Sequence, residues 1–187
     1  MTATDTGTIV DATITGAPSS TKNADKARDP EVHQTCKARQ WYFEMKLHIG
    51  VDSQSGLTHS AVVTAANVHD KRPLPDLLHG NNQRVYGECA YVSQKDLVAS
   101  KASKPRDFTN QRTRYPGIVD EAVRAKNRNK SKIRLHVEHV FGAVKRLWGF
   151  GKVRYHGLQK NATRTFIALA LANIYLGRQR LMAQVRP

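Results

Sequence analysis

The sequence has few cysteines, few acidic residues and no long apolar run. Cys36 and Cys89 are its two cysteines, too few for a disulfide framework, and we expect both to be reduced thiols. His33 and Cys36 are spaced like half a zinc site, but no second ligand pair follows at a matching spacing, which argues against zinc. The longest apolar stretch, at 166–177, is too short to cross a bilayer and predicts a buried helix.

The shortage of acids leaves a strong positive charge. Lys plus Arg number 30 against 15 for Asp plus Glu, which gives a formal net charge of +15. Such an excess points to a polyanionic partner such as nucleic acid, although ribosomal and membrane-surface proteins share it. The first residues also lack the basic start and apolar run of a secretory signal. We therefore expect a cytoplasmic protein that binds nucleic acid, as a class, and no membrane.

Strand-like segments fill the first half of the chain. "GTIVDATIT", at 7–15, predicts a short strand with Asp11 near its centre, an unusual place for an acid. Residues 17–40 are rich in small and charged residues and predict a loop, which at this length is mainly tolerated when it has a function. Two strand-like runs, at 41–52 and 58–66, flank the turn signal "SQSG" and predict a hairpin.

The pattern then changes from strands to helices. Asp70, beside a turn signal, predicts a local cap, and 71–80 predicts a short helix ending at Gly80. Residues 83–91 predict a further strand that leads to a second acid, Glu88. A basic, loop-like stretch at 101–115 and two helices, at 117–148 and 162–183, complete the chain. Strands before helices, with no internal repeat, favour an α+β or a mixed three-layer α/β fold in one domain, 1–187.

Several basic and aromatic residues each allow two interpretations. The loop-like stretch contains Arg106, Arg112 and Arg114, which either contact DNA phosphates or lie in a solvated segment, and we favour DNA. Trp41 and Trp148 either stack on bases or pack against the protein. Because Trp148 lies on an apolar helix stripe, packing is the favoured interpretation for it.

The penultimate helix carries three charges beside its apolar stripe. At about 100° per residue, Arg134, Glu138 and Lys145 cluster on one flank of the stripe. One interpretation is an exposed salt-bridge ridge worth about 0.3–0.5 kcal/mol per pair. The other is that this flank belongs to a functional site, and the rest of the chain has to decide between them.

Three acids occupy positions where a solvated surface charge is not the simplest explanation. Asp11 lies in a first strand, Glu88 at the end of a later strand, and Glu138 on a core helix. Carboxylates on separate elements can converge on Mg²⁺, a hard cation that prefers oxygen ligands. Two such ions, about 3.5–4 Å apart, can activate a water or a 3′-hydroxyl for in-line attack on phosphorus. Such chemistry suits a basic protein.

A resemblance to a known family connects these features. The stretches that carry it are "TIVDATITGAPSSTKNADKARDPEVHQT", "WYFEMKLHIGVDSQSGLTHSAVVTAANVHD", "RLHVEHVFGAVKRLWGFGKVRYHGLQKN" and "ALANIYLGRQRL". They resemble the catalytic region of bacterial insertion-sequence transposases of the insertion-sequence-five group. The resemblance implies a ribonuclease-H-like fold and an Asp-Asp-Glu triad that binds Mg²⁺ or Mn²⁺. By position, the triad corresponds to Asp11, Glu88 and Glu138.

The resemblance also assigns the charged ridge and marks where the chain departs from the group. Arg134, Glu138 and Lys145 fit the spacing of a Tyr-Arg-Glu-Lys signature, which implies one metal ligand between two phosphate-binding cations. Ser131 stands where the signature has Tyr. Glu88 lies in "GECAY" where the group has Gly-Asp-x-Gly-Tyr. The helical region that precedes the catalytic domain in relatives is expected to be missing, so the chain is interpreted as a partial transposase.

From the sequence we therefore expect a ribonuclease-H-like α/β domain, a mixed sheet flanked by helices. Its expected function is metal-dependent cleavage and strand transfer at transposon ends, with inverted-repeat ends and target DNA as partners and a homodimer left open. One alternative is a truncated, non-catalytic DNA-binding remnant of a transposase. A second is a basic ribosome-associated or structural protein, for which the three acids would share no position.

Overall fold

The computed structural model describes residues 7–22, 24, 26–37, 39–91, 105–115 and 118–185. Its strands are β1 (Gly7–Gly16), β2 (His33–Lys37), β3 (Gln40–Asp52), β4 (Thr58–Ala65), β5 (Arg84–Tyr86), β6 (Arg106–Asp107), β7 (Arg114–Tyr115) and β8 (Ile118–Val119). Its helices are α1 (Leu74–Leu77), α2 (Glu121–Leu147) and α3 (Leu158–Val185), with a 3₁₀ turn at Cys89–Tyr91. In the ranges just given, no helix combines the length and apolar character needed to span a membrane.

Strand β1 lies inside a mixed sheet, with β3 on one side and β5 on the other. The pairs β1–β3 and β3–β4 are antiparallel, whereas β1–β5 and β5–β6 are parallel. The first part of the sheet is therefore an antiparallel meander, and the second part is two parallel strands. Strand β2 pairs antiparallel with the first residues of β3 and extends the sheet as a hairpin. Strands β7 and β8 form a separate two-stranded ribbon.

Helices cover both faces of the sheet. Ile9 belongs to a buried cluster with Val140 of α2 and Leu169 of α3, whereas Val10 belongs to a second cluster with Leu74 of α1. Successive strand residues point to opposite faces. Asp11 therefore shares the face of Ile9 and points towards α2. The mixed α/β class expected from the sequence is confirmed.

Several predicted elements differ from the observed ones. The predicted loop at 17–40 contains β2. Its sequence, "HQTCK", has little apolar alternation, and the strand is ordered by backbone pairing with β3. The predicted loop at 101–115 likewise contains β6 and β7, while 101–104 lie outside the described residues. The predicted strand at 83–91 ends at Tyr86. The predicted helix at 71–80 is one turn, α1, because Leu78 has extended backbone angles.

The two long helices are confirmed, with shifted starts. The prediction that 166–177 forms a buried helix is wrong, because Phe166, Ile167 and Ile174 of this stretch are exposed. Asp120 caps α2, since its carboxylate accepts a hydrogen bond of 3.0 Å from the Val123 amide. Helix α3 begins four residues before the predicted position 162. Two amides at this start donate to remote acids. The Gly157 amide, just before the helix, donates to Asp29 at 2.7 Å, and the Leu158 amide donates to Glu31.

Candidate functional site

Asp11 is a largely buried carboxylate in the middle of β1. Its side chain is 12% exposed, and its Oδ1 accepts a hydrogen bond of 2.8 Å from the Ala12 amide. Burial raises the pKa of Asp11, and the neighbouring Arg134 guanidinium opposes this by stabilising the charged form. A carboxylate this poorly hydrated requires a positive partner.

The sheet register explains why Glu88 lies beside Asp11. Gly7 pairs with Arg84 and Ile9 with Tyr86 across the parallel β1–β5 ladder. Extending the same register by two residues brings Glu88 next to Asp11, just beyond the end of β5.

Gly87 permits the close approach of Tyr91 and Val10 to the backbone at this point. A Cβ atom on Gly87 would lie 3.0 Å from the Tyr91 ring and 3.1 Å from a methyl group of Val10. The chain then turns into the 3₁₀ segment, where the Glu88 carbonyl accepts a hydrogen bond of 3.0 Å from the Tyr91 amide. Glu88 is thus held at a fixed position by its backbone, while its side chain remains 55% exposed.

Arg134 of α2 joins the two acids. Its Nη2 donates to Asp11 Oδ2 at 2.7 Å and to Glu88 Oε1 at 2.8 Å. The side chain is 11% exposed. Burial alone would lower the pKa of Arg134, but the hydrogen bond to Glu88 and the charge of Asp11 raise it by more. The pKa is therefore above its usual value and the group stays charged. Arg134 thus binds acids from the sheet, which differs from the local salt-bridge ridge considered for the sequence.

Lys145 makes a second contact between the α2 ridge and β1. Its Nζ donates to Thr13 Oγ1 at 2.6 Å, and Thr13 lies two residues beyond Asp11 on the same face of β1. No local pattern in the sequence indicated Thr13 as a partner. Because Arg134 and Lys145 both reach β1, the charged ridge of α2 runs along this strand.

Glu138 lies between these two contacts on the ridge. It follows Arg134 by four residues, so the two side chains are neighbours on the helix surface. Glu138 is exposed to solvent. Within the described residues, no group of three or more His, Cys, Asp and Glu side chains is arranged to hold a metal ion. The structure therefore brings Asp11 and Glu88 together, and Glu138 does not join them in a ready ligand group.

The arginines predicted to contact DNA lie on β6, on β7 and in the segment between them. Arg106, on β6, and Arg112, in the following segment, are exposed. The backbone of Arg114 belongs to β7, and its side chain lies outside what the structure describes.

A second polar cluster occupies the opposite face of the sheet. Lys46 forms an ion pair of 3.0 Å with Asp70, and the Asp70 carboxylate also lies 3.9 Å from His48 Nδ1. The local cap predicted for Asp70 is therefore wrong, because its partner is on β3. Tyr91 packs on this face, and burial together with the charge of Asp70 raises the pKa of its hydroxyl. Lys46 and His48 alternate with apolar residues of β3, and this alternation was the sequence signal for the cluster.

Comparison with known families agrees with this geometry. A family described as "Transposase DDE domain" matches residues 2–174 of the chain, a span that contains Asp11, Glu88, Arg134, Glu138 and Lys145. No solved structure matches the chain. Transposases act on DNA, so the family also implies DNA as the partner. The chain belongs to the transposase DDE domain family.

Proposed function

We propose that the chain is the catalytic domain of a transposase that nicks and rejoins DNA at transposon ends with the help of Mg²⁺ or Mn²⁺. The observation that carries this proposal is the convergence of Asp11 and Glu88 on one cationic group. These carboxylates come from separate parts of the sheet and both bind the Arg134 guanidinium, at 2.7 and 2.8 Å. Two converging carboxylates, with Glu138 one helical turn beyond Arg134 on α2, suit hydrolytic phosphate chemistry.

The sheet supports a ribonuclease-H-like classification of the fold. An antiparallel meander is followed by two parallel strands, and Asp11 lies on the strand that joins these two parts. Helices α2 and α3 pack on the face of Asp11. On this interpretation residues 1–187 are one catalytic domain of the insertion-sequence-five group.

The residues present fit a hard divalent cation. Mg²⁺ prefers carboxylate oxygens and is usually held by one or two carboxylates, water and substrate phosphates. Asp11 Oδ2 and Glu88 Oε1 would supply such oxygens once Arg134 turns away, and Glu138 would supply the third carboxylate. When bound, the cation would activate a water or a 3′-hydroxyl and stabilise the leaving oxygen.

The basic side chains have distinct roles in this proposal. Arg134 would leave the acids and bind a DNA phosphate, which its planar guanidinium can contact through two parallel hydrogen bonds. Lys145, one end of the α2 ridge, would bind a phosphate as a point charge. Arg106, Arg112 and Arg114 would contact the DNA backbone farther from the reacting phosphate. These contacts position DNA without reading its sequence.

A non-catalytic DNA-binding remnant is the second candidate. The observation that favours it is that Arg134 pairs with both Asp11 and Glu88 while Glu138 is exposed to solvent. In a remnant, Asp11 and Glu88 would serve only to anchor α2 to the sheet. Metal binding distinguishes the two candidates, since only the catalytic one requires the acids to hold a cation.

The test is a titration with Mn²⁺ followed by electron paramagnetic resonance, which reports free and bound ion directly. The parent protein should bind Mn²⁺, and Asp11→Asn should lose that binding. Glu121→Gln is the control, because it removes an exposed acid of α2 that pairs with the exposed Arg124. Equal Mn²⁺ affinity of parent and Asp11→Asn would contradict the catalytic proposal and favour the remnant.

A further inference from the structure

We propose that a groove at the start of β3 binds an unstacked DNA base together with its phosphate. We call it the Trp41 groove and define it by Arg28, Gln34, Trp41, Phe43 and Gly16, which line it. The inference rests on the proposed function, because it adds a subsite for the DNA strand that the acids would cut.

Trp41 presents its ring to solvent. Its residue exposure is 67%, whereas tryptophan is on average one of the more buried residues. Side chains alternate along β3, so Trp41 shares a face with Phe43 and with the buried Met45. This is the face covered by α2 and α3 farther along the strand. An aromatic plane is therefore available at the margin of the same face that carries Asp11.

A cation lies beside this aromatic surface. The Arg28 guanidinium is 5.6 Å from the centre of the Phe43 ring, and its Nε donates to the Ser19 carbonyl at 3.0 Å. The contact with Ser19 orients the guanidinium. Aromatic rings that stack on bases, next to cations that bind phosphates, are the recurring elements of single-strand recognition.

The shape and polarity of the groove suit one nucleotide. Its volume is about 430 Å³, within the range of sites that bind small ligands. Gln34 offers an amide that can both donate to and accept from a base edge. The Arg28 guanidinium would bind the phosphate, and the Trp41 ring would stack on the base.

The groove lies beyond the end of β1, the strand that carries Asp11. Gly16 ends β1 and is five residues beyond Asp11, a distance of about 17 Å at 3.3–3.4 Å per residue. Across the β1–β3 ladder, Asp11 pairs with Ile49 and Gly16 pairs with Glu44. The contact of Lys145 with Thr13 lies between these two points. The groove therefore lies at the end of β1, and a nucleotide bound in it would belong to DNA away from the reacting phosphate.

Binding of a short oligothymidylate, compared with a duplex of the same length, tests the groove. Trp41→Ala should weaken binding of the single strand by about tenfold, since stacking on one aromatic side chain is worth about 1–3 kcal/mol per base. Trp41→Tyr should retain most of the affinity, because an aromatic plane remains. Duplex affinity should change less than about twofold in either variant, because paired bases are not free to stack on the ring.

Intrinsic fluorescence gives a second readout of the same event. The oligothymidylate should quench Trp41 in a Trp148→Phe protein, and no tryptophan signal should respond in Trp41→Tyr, where only Trp148 remains. Unchanged single-strand affinity in Trp41→Ala, or an equal loss on duplex DNA, would overturn the inference. Mn²⁺ binding and nicking are separate readouts, so failure of this subsite is distinguishable from failure of the proposed catalytic function.

Discussion

Arg134 of α2 and Asp11 of β1, 123 residues apart in the chain, form an ion pair of 2.7 Å in which both side chains are almost fully buried. The same nitrogen also binds Glu88. Without a cation at this point, the carboxylates of Asp11, in the middle of β1, and Glu88, just beyond β5, would repel each other. The ion pair therefore stabilises the junction of β1, β5 and α2, and any cation that binds these acids has to compete with Arg134.

Removal of the guanidinium should destabilise the protein. We expect Arg134→Gln to lower the free energy of unfolding by about 2–4 kcal/mol, because it leaves Asp11 buried without its positive partner. The contribution of Glu88 is smaller, since that side chain is half exposed. Urea denaturation in the presence of a chelator measures the change.

Mg²⁺ should restore part of this loss. The cation should stabilise Arg134→Gln more than it stabilises the parent protein, because it no longer competes with the guanidinium. Arg124→Gln, which removes an exposed pair with Glu121, is the control and should change stability by less than about 0.5 kcal/mol. An Arg134→Gln protein that is as stable as the parent would contradict this role of the ion pair.

DNA binding should depend on salt and on Lys145. Lys145→Gln should weaken duplex binding at all sequences alike and reduce the slope of log affinity against log salt by about 1, because one phosphate contact is lost. Fluorescence anisotropy from about 50 to 200 mM salt measures both effects. If the duplex affinity of the parent protein does not change over this range of salt, an interface based on phosphate contacts is contradicted. An unchanged slope in Lys145→Gln would place the DNA elsewhere.

Glu88→Asp should increase Mg²⁺-dependent nicking of a transposon-end duplex. The shorter side chain restores the acid that the insertion-sequence-five group has at this position, and it withdraws the carboxylate from Arg134 by one methylene group. Glu138→Gln in the same background should abolish the gained activity. If parent and Glu88→Asp nick equally well, Glu88 is already a competent ligand and the reasoning about its length is wrong.

His48 should make stability depend on pH below neutrality. Burial lowers the pKa of His48 from 6.5 to about 4, so the unfolded chain binds a proton at a higher pH than the folded protein does. The contribution of His48 to the free energy of unfolding is therefore fully present above pH 6.5. It should decrease by up to about 3 kcal/mol as the pH falls towards 4. Urea denaturation between these limits should show a shallower pH dependence in His48→Gln, which keeps a donor for Thr64. Parallel curves for the two proteins would contradict this source of acid sensitivity.

Local sequence patterns predicted the elements whose causes are local. The alternation around Asp11, the hairpin of β3 and β4 and the apolar stripe of α2 all lie in their own sequence, and each was found. Strand β2 and the start of α3 depend on distant partners. One is ordered by pairing with β3 and the other by Asp29 and Glu31. Such long-range causes leave little trace in a short window of sequence.

The candidate site shows the same division. The helical period placed Arg134, Glu138 and Lys145 on one ridge, and the structure shows Arg134 and Lys145 of that ridge reaching β1. The proximity of Asp11 and Glu88 follows from the β1–β5 register, which no local pattern contains. That Arg134 itself binds both acids was not predicted, because a family signature assigns it to phosphate and does not specify its contacts in the protein alone.

The most direct test of the central claim is a nicking assay on an end-labelled duplex that carries the inverted repeat flanking the gene. The proposed function predicts that the parent protein cuts one strand at the repeat with Mg²⁺ or Mn²⁺. Asp11→Asn and Glu138→Gln should bind the duplex with parental affinity and leave it uncut. A parent protein that binds the duplex but cuts nothing with either metal, or a Glu138→Gln protein that cuts at the parental rate, would contradict it.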